Sequence, residues 1–161
     1  MFGIIGIAGV AYRRYDPVYT ARGVPPATVS SALARRGVQV GSIICDGDRV
    51  RFTAPGSDPT DVVAALGDVG AAVAVRGDLG SVSVVTTFVG NRPEIAERIL
   101  STLERHGIDP HLVTSTPSRV SCHIPAGTIE QAVRALHDAF YLHAEEVGLV
   151  DATAAVSGRA R

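Results

Sequence analysis

The sequence predicts an α+β fold in which one βαββαβ unit occurs twice, the first copy inserted within the second. Three observations predict it: a self-match at constant offset, two runs of strand, helix, strand, strand, helix, and a spare apolar strand at the start. Sliding the 161-residue chain by seventy positions brings Leu33 onto Leu103, Arg35 onto Arg105, Gly37 onto Gly107 and Val38 onto Ile108. It also brings Arg49-Val50 onto Arg119-Val120, Pro55 onto Pro125, and Val63, Ala65 and Leu66 onto Val133, Ala135 and Leu136. No gap is needed between the first and last of these pairs, and a self-match at fixed offset marks a duplicated structural unit.

The elements follow in chain order. Gly3 to Val10 reads as an apolar strand with no partner nearby in sequence. An unpaired strand is an aggregation liability, so it is expected to complete the sheet of the second copy. A weak strand near Val18 to Ala21 leads to a helix from Pro26 to Arg36. Val38 to Cys45 and Arg49 to Ala54 form a hairpin whose Asp46-Gly47 tolerates a tight turn. A helix from Pro59 to Leu66 and a strand from Ala71 to Val75 close the first copy. In the second, Ser81 to Val89 is rich in β-branched residues. Gly90 ends it, Asn91 is a candidate N-cap, and Pro93 and Glu94 suit a first helical turn. Ile95, Ile99, Leu100 and Leu103 keep helical spacing up to the stop at Gly107. Leu112 to Ser115 and Arg119 to Ile124 pair around Thr116-Pro117-Ser118, and a last helix begins near Thr128. The expected units are 11–79, and 3–10 with 80–143; 144–161 reads as a flexible tail.

Composition narrows the function. Hydrophobic residues make up 46% of the chain, enough for a sizeable core. The net charge of -1 draws it to neither nucleic acid nor an anionic membrane. All fifteen basic residues are arginine, which excludes lysine Schiff-base and lysine phosphate chemistry. Cys45 and Cys122 lie in apolar runs and read as buried free thiols. Met1 to Val10 is too short for a membrane span and has no basic leader, so a cytoplasmic location is expected.

A duplicated βαββαβ unit with Gly-x-x-Pro between its first strand and helix resembles a pair of ferredoxin-like ACT domains. Ser81 to Val85, Ile95 to Leu100, Leu103 to Ile108, Val113 to Thr116 with Arg119 to Ser121, and Ala132 to Phe140 together resemble the regulatory region of aspartate kinases. The resemblance covers nearly all of residues 3–142. It implies a non-catalytic β-subunit-like protein, without the kinase domain, that forms homodimers through its ACT units, associates with an aspartate kinase catalytic chain and binds an amino-acid-like ligand. The residues that match are Gly90, Asn91, Arg92 and Ile95 at the loop and helix start, and Val113, Thr114, Ser115 and Thr116 on the facing strand. Free helix N–H groups suit a carboxylate, and the strand offers hydroxyls and backbone to an ammonium group.

There are departures from the family pattern. The usual Asp-x-Pro-Gly loop of the first unit is replaced by Thr20-Ala21-Arg22-Gly23-Val24-Pro25-Pro26. The usual Gln-Asn pair is replaced by Gly41-Ser42-Ile43-Ile44-Cys45, and Glu94 stands where the family tends to have Gly. A ligand other than threonine or lysine, or another job, is therefore expected. The alternative is an ACT scaffold repurposed as a cyclase- or isomerase-type enzyme in a specialised pathway, with Tyr12, Arg119 and His123 as candidate catalytic residues and Arg13, Arg14 and Tyr15 beside them.

Other features have bland readings. His137, His143, Glu145 and Glu146 do not follow a zinc spacing, and no metal or cofactor is expected. His111 and His123 lie on neighbouring strands, whereas Cys122 and His123 point to opposite faces of a regular strand. Arg49 and Arg119 are either a solvated sheet border or a paired anion clamp. Tyr12 to Asp16 is either a rim loop or, with Tyr19, a pocket wall. Gly3-x-x-Gly6-x-x-Gly9 lacks the following helix of a dinucleotide fingerprint.

Overall fold

A computed structural model describes residues 7–86, 93–140 and 150–151. The chain divides into two compact units: Asp16–Leu79, the first unit, and Met1–Tyr15 with Gly80–Arg161, the second.

The first unit contains β1 (Val18–Arg22), α1 (Pro26–Arg35), β2 (Ile43–Asp46), β3 (Arg49–Thr53), α2 (Pro59–Gly67) and β4 (Ala72–Arg76). Its sheet order is β2-β3-β1-β4, with every neighbouring pair antiparallel. The strand near Val18, weak by composition, is thus the central one. Asp58 caps α2 by accepting from the Thr60 N–H at 2.8 Å, and Pro59 occupies the first turn, where no N–H is needed. Tyr19, Ala21, Val50 and Phe52 from the sheet pack with Val29, Leu33, Val62, Ala65 and Leu66 from the helices.

The second unit contains βN (Ile7–Arg13), β5 (Leu79–Thr86), α3 (Pro93–Arg105), β6 (Leu112–Thr116), β7 (Arg119–Pro125), a 3₁₀ turn (Ala126–Thr128) and α4 (Ile129–Ala139). A two-residue strand, β8 (Val150–Asp151), lies parallel to βN. The sheet order is β6-β7-β5-βN-β8. The spare strand therefore does complete this sheet: βN runs antiparallel to β5, pairing Val10 with Val84 and Arg13 with Ser81. It extends to Arg13, so residues 11–15 belong to the second unit and Tyr12-Arg13 is strand, not loop. Val10, Val82, Val84, Val120, Cys122 and Ile124 from the sheet meet Ile95, Ile99, Leu103, Ile129, Ala132, Val133 and Leu136 from α3 and α4. The remainder of the expected 144–161 tail lies outside the described residues.

The duplication extends to individual hydrogen bonds. After α1, Gly37 at φ +67° lets Val38 N–H reach the Leu33 carbonyl at 3.0 Å. Seventy residues on, Gly107 at φ +68° lets Ile108 N–H reach the Leu103 carbonyl at 3.0 Å. Both are left-handed glycine stops. Gly41 N–H donates to Thr53 O at 2.9 Å, and His111 N–H to His123 O at 2.7 Å, again seventy apart.

Two expectations for the first unit need correction. The hairpin's opening strand is only Ile43–Asp46; Val38 is buried as part of the helix-to-strand connection. Cys45 is exposed, not buried, because β2 is an edge strand and the apolar pattern of a run says nothing about lateral cover. Tyr19 is 0% exposed and stacks on Phe52 at 5.2 Å between ring centroids. It is a core residue and forms no pocket wall.

Gly80 is a tight point. A Cβ there would lie 2.6 Å from the Arg13 carbonyl oxygen and 2.8 Å from that of Arg14. The Gly80→Ala variant is expected to lose about 1–3 kcal/mol of stability, read by urea denaturation; an unchanged midpoint would refute the contact. The two thiols offer a second check. Burial pushes Cys122 up from 9.0 to about 12, so the folded protein keeps that proton where the unfolded chain loses it. Stability contributed by the neutral thiol is complete below about pH 9 and falls as pH rises toward 12. At pH 8 a maleimide is expected to label Cys45 only, with Cys122 reacting after unfolding; rapid modification of both would contradict this burial.

Candidate functional site

Of the matched residues, Ile95 on α3 and Val113 to Thr116 on β6 are described. Strand β5 finishes at Thr86, and α3 begins at Pro93. Thr86 ties this end to the β6–β7 turn: its N–H donates to Ser118 O at 2.8 Å and its hydroxyl to Pro117 O at 3.2 Å. The turn that carries Thr116 therefore sits beside the point where the chain leaves β5 for α3. Gly90, Asn91 and Arg92 lie outside the described residues.

The strand side of the site is β6, the free edge of the sheet. An edge strand keeps one row of N–H and C=O groups unpaired by the sheet, available to a ligand or another chain. Its register places Val113 across from Cys122, Thr114 from Ser121, Ser115 from Val120 and Thr116 from Arg119. Val113 and Ser115 thus share the helix-covered face with the core residues Val120 and Cys122, while Thr114 and Thr116 share the opposite face with Ser121 and Arg119. Val113 is 37% exposed, and Ser115 and Thr116 are exposed. The Thr116 hydroxyl donates to Arg119 O at 3.2 Å, which closes the turn.

The helix side is set by α3. Ile95 is 7% exposed and belongs to the apolar core with Ile99 and Leu103. It anchors the helix start and presents no side chain to a ligand. Glu94 lies in the first turn, where a carboxylate is favoured by the free N–H groups. It brings a resident negative charge to the place where a ligand carboxylate would otherwise gain most.

The enzyme candidates are not brought together. Tyr12 lies against the core on the helix-covered face, with the Arg14 guanidinium 5.8 Å from its ring centre. Arg14 also meets Glu130 at 3.5 Å, and Tyr15 is exposed. Arg119 and His123 alternate with the core residues Val120, Cys122 and Ile124, so they face the other way. The sheet separates Tyr12 from His123. Cys122, raised by burial, is a protonated core thiol.

Sequence reading missed a buried polar row. Ser81, Ser83 and His123 are all buried, on strands whose alternate residues fill the core. Ser83 and Ser121 hydroxyls hydrogen-bond at 2.7 Å. The alternation Ser81-Val82-Ser83-Val84 marks two faces of a strand, and no local pattern marks the polar one as buried. Arg49 and Arg119 occupy equivalent exposed positions, one in each unit. Of the His137 group, His143, Glu145 and Glu146 lie outside the described residues, and among the described residues no three His, Cys, Asp or Glu could hold a metal ion. No helix among them is long and apolar enough to cross a membrane.

Comparison with known proteins identifies relatives of this arrangement. Residues 82–140 match the family model for an ACT domain. An aspartokinase from Geobacillus stearothermophilus is 32% identical over 77% of this chain and 32% of its own length. One from Thermus thermophilus is 28% identical over 72% of this chain and 31% of its own. The chain thus spans about a third of the curated relatives it matches. Some solved structures are matched over nearly their full extent. The ligand-free regulatory subunit of aspartate kinase from Thermus thermophilus has a TM-score of 0.75 at 28% identity, covering 84% of this chain and 99% of that one. A chain from the aspartokinase alpha and beta subunit structure has a TM-score of 0.76 at 27% identity, with 85% and 100% covered.

Proposed function

We propose that this chain, an ACT-domain protein similar in sequence and fold to the regulatory subunit of aspartate kinase, is a cytoplasmic regulatory module that binds an amino-acid-like molecule and associates with a catalytic chain. The observation that carries this reading is the likeness in fold and sequence to the regulatory subunit, at a TM-score of 0.75 and 28% identity. The relatives with kinase names are covered over about a third, whereas the regulatory subunit is covered over 99%. Both units of that architecture are therefore represented in these residues.

The binding role rests on the end of the second unit's sheet. The edge of β6 and the start of α3 offer complementary partners to a zwitterion, N–H groups for a carboxylate and carbonyl or hydroxyl oxygens for an ammonium group. Asn91 and Arg92 are polar residues in the sequence between β5 and α3, and the exposed edge is one to which a second copy can add as a homodimer. Two free thiols fit a reducing compartment. Biosynthetic regulation follows from the kinship: a feedback ligand acts by favouring one arrangement of the assembly over another.

Thermal denaturation with each common amino acid, threonine and lysine included, tests the ligand. At about a hundredfold excess over its Kd, a true ligand adds about 2.7 kcal/mol, which raises the Tm of a chain this size by about 5–10 °C. The Asn91→Ala variant is expected to bind at least about tenfold more weakly, a loss of about 1.4 kcal/mol. No shift with any amino acid, with and without an aspartate kinase catalytic chain, would reject the ligand-binding role.

A further inference from the structure

The first unit carries a feature that its repeat partner lacks. On the sheet face away from α1 and α2, Arg22 on β1 lies directly across from Arg49 on β3. Arg51, two residues along β3, shares that face and lies across from Thr20. Arg22 and Arg49 are exposed and Arg51 is half-buried. Asp46 stands across from Arg49 on the far side of β3, and a fourth arginine of the face, Arg76, lies at its other end across from Val18 and is paired with Asp78, so the exposed end holds three arginines and one carboxylate. None of the three guanidinium groups takes part in an ion pair among the described residues, whereas Arg14, Arg36 and Arg76 each do.

Like charges directly opposite across antiparallel strands oppose folding. The fold does not need them there: seventy residues on, Ser121 takes the place of Arg51 and hydrogen-bonds to Ser83, and the second unit still forms the same sheet. The arginines are thus kept at some cost to stability, which an anionic partner would relieve.

This face is buried at Val18 and Thr53 and exposed at its arginine end, and we propose that this exposed end docks an acidic segment of a partner protein. Three features select that occupant. The arginines stand along a sheet, and small ligands are normally held in concave pockets; an extended chain needs none. Arg49 and Arg51 are two residues apart on one strand face, a spacing of about 7 Å that an extended peptide repeats with alternate acidic residues, each able to receive a bidentate guanidinium. Thr20, Ile44, Ala72 and Ala74 line the same face by register. They provide no aromatic ring on which a nucleic-acid base would stack.

Fluorescence anisotropy with a labelled hexaglutamate peptide and the full chain tests this. The R22Q/R49Q/R51Q variant is expected to bind at least tenfold more weakly, and R105Q/R134Q, which removes two exposed arginines of the second unit, within twofold of the parent. The triple variant is expected to melt no lower than the parent, since it removes the opposed charges. If it does unfold, Arg51→Gln alone is expected to weaken binding at least threefold. Absence of binding by the parent, equal losses in both multiple variants, or tighter binding of an oligothymidylate of equal charge would overturn the proposal. The assay contains no amino-acid ligand, so its failure leaves the regulatory reading to its own test.

Discussion

The antiparallel pairing of βN with β5 is the constraint on which this architecture depends. It joins the start of the chain to a strand more than seventy residues away, with Tyr12 across from Val82 and Val10 across from Val84. The second unit cannot assemble its core without both segments, because Val10 is part of that core. The pairing also explains how a complete unit can be inserted. In the first unit, β1 and β4 are neighbours, and Asp16 N–H donates to Leu79 O at 2.8 Å. Chain entry and exit therefore coincide, and the inserted unit closes on itself.

Duplication kept the helix stops and the hairpin entries, while side chains changed on both faces of the sheets, Phe52 to Cys122 in the core included. The glycine helix stops and the entry bonds into each hairpin recur at equivalent positions. Positions on the sheet face away from the helices differ too: Arg51 corresponds to Ser121, and the buried Thr53 to the buried His123. Interior positions must fill a fixed volume at high density. Positions on the other face answer to whatever each unit meets, so the two units share a scaffold while offering different chemistry.

That division of labour fits binding better than catalysis. An acid, base or nucleophile acts only when its partners are within hydrogen-bond reach. Here the sheet divides Tyr12 from His123, and desolvation keeps Cys122 protonated. What remains available is backbone at a strand edge and at a helix start. The proposed binding of a zwitterion rests on such groups, and the similarity to the regulatory subunit of aspartate kinase supports that proposal.

The sequence by itself determined the elements, their duplication and the partner of the spare strand. These follow from local periodicity and from a repeat that leaves one strand unmatched. Only the tertiary structure decided that Ile95 is core, that Cys45 is exposed at a sheet edge, that Tyr19 stacks on Phe52, and that Ser81, Ser83 and His123 are buried. The physical reason is one of range. Periodicity assigns a residue to a face of its own strand or helix, whereas burial depends on what other elements cover that face, and this is set by strand order and packing among distant segments.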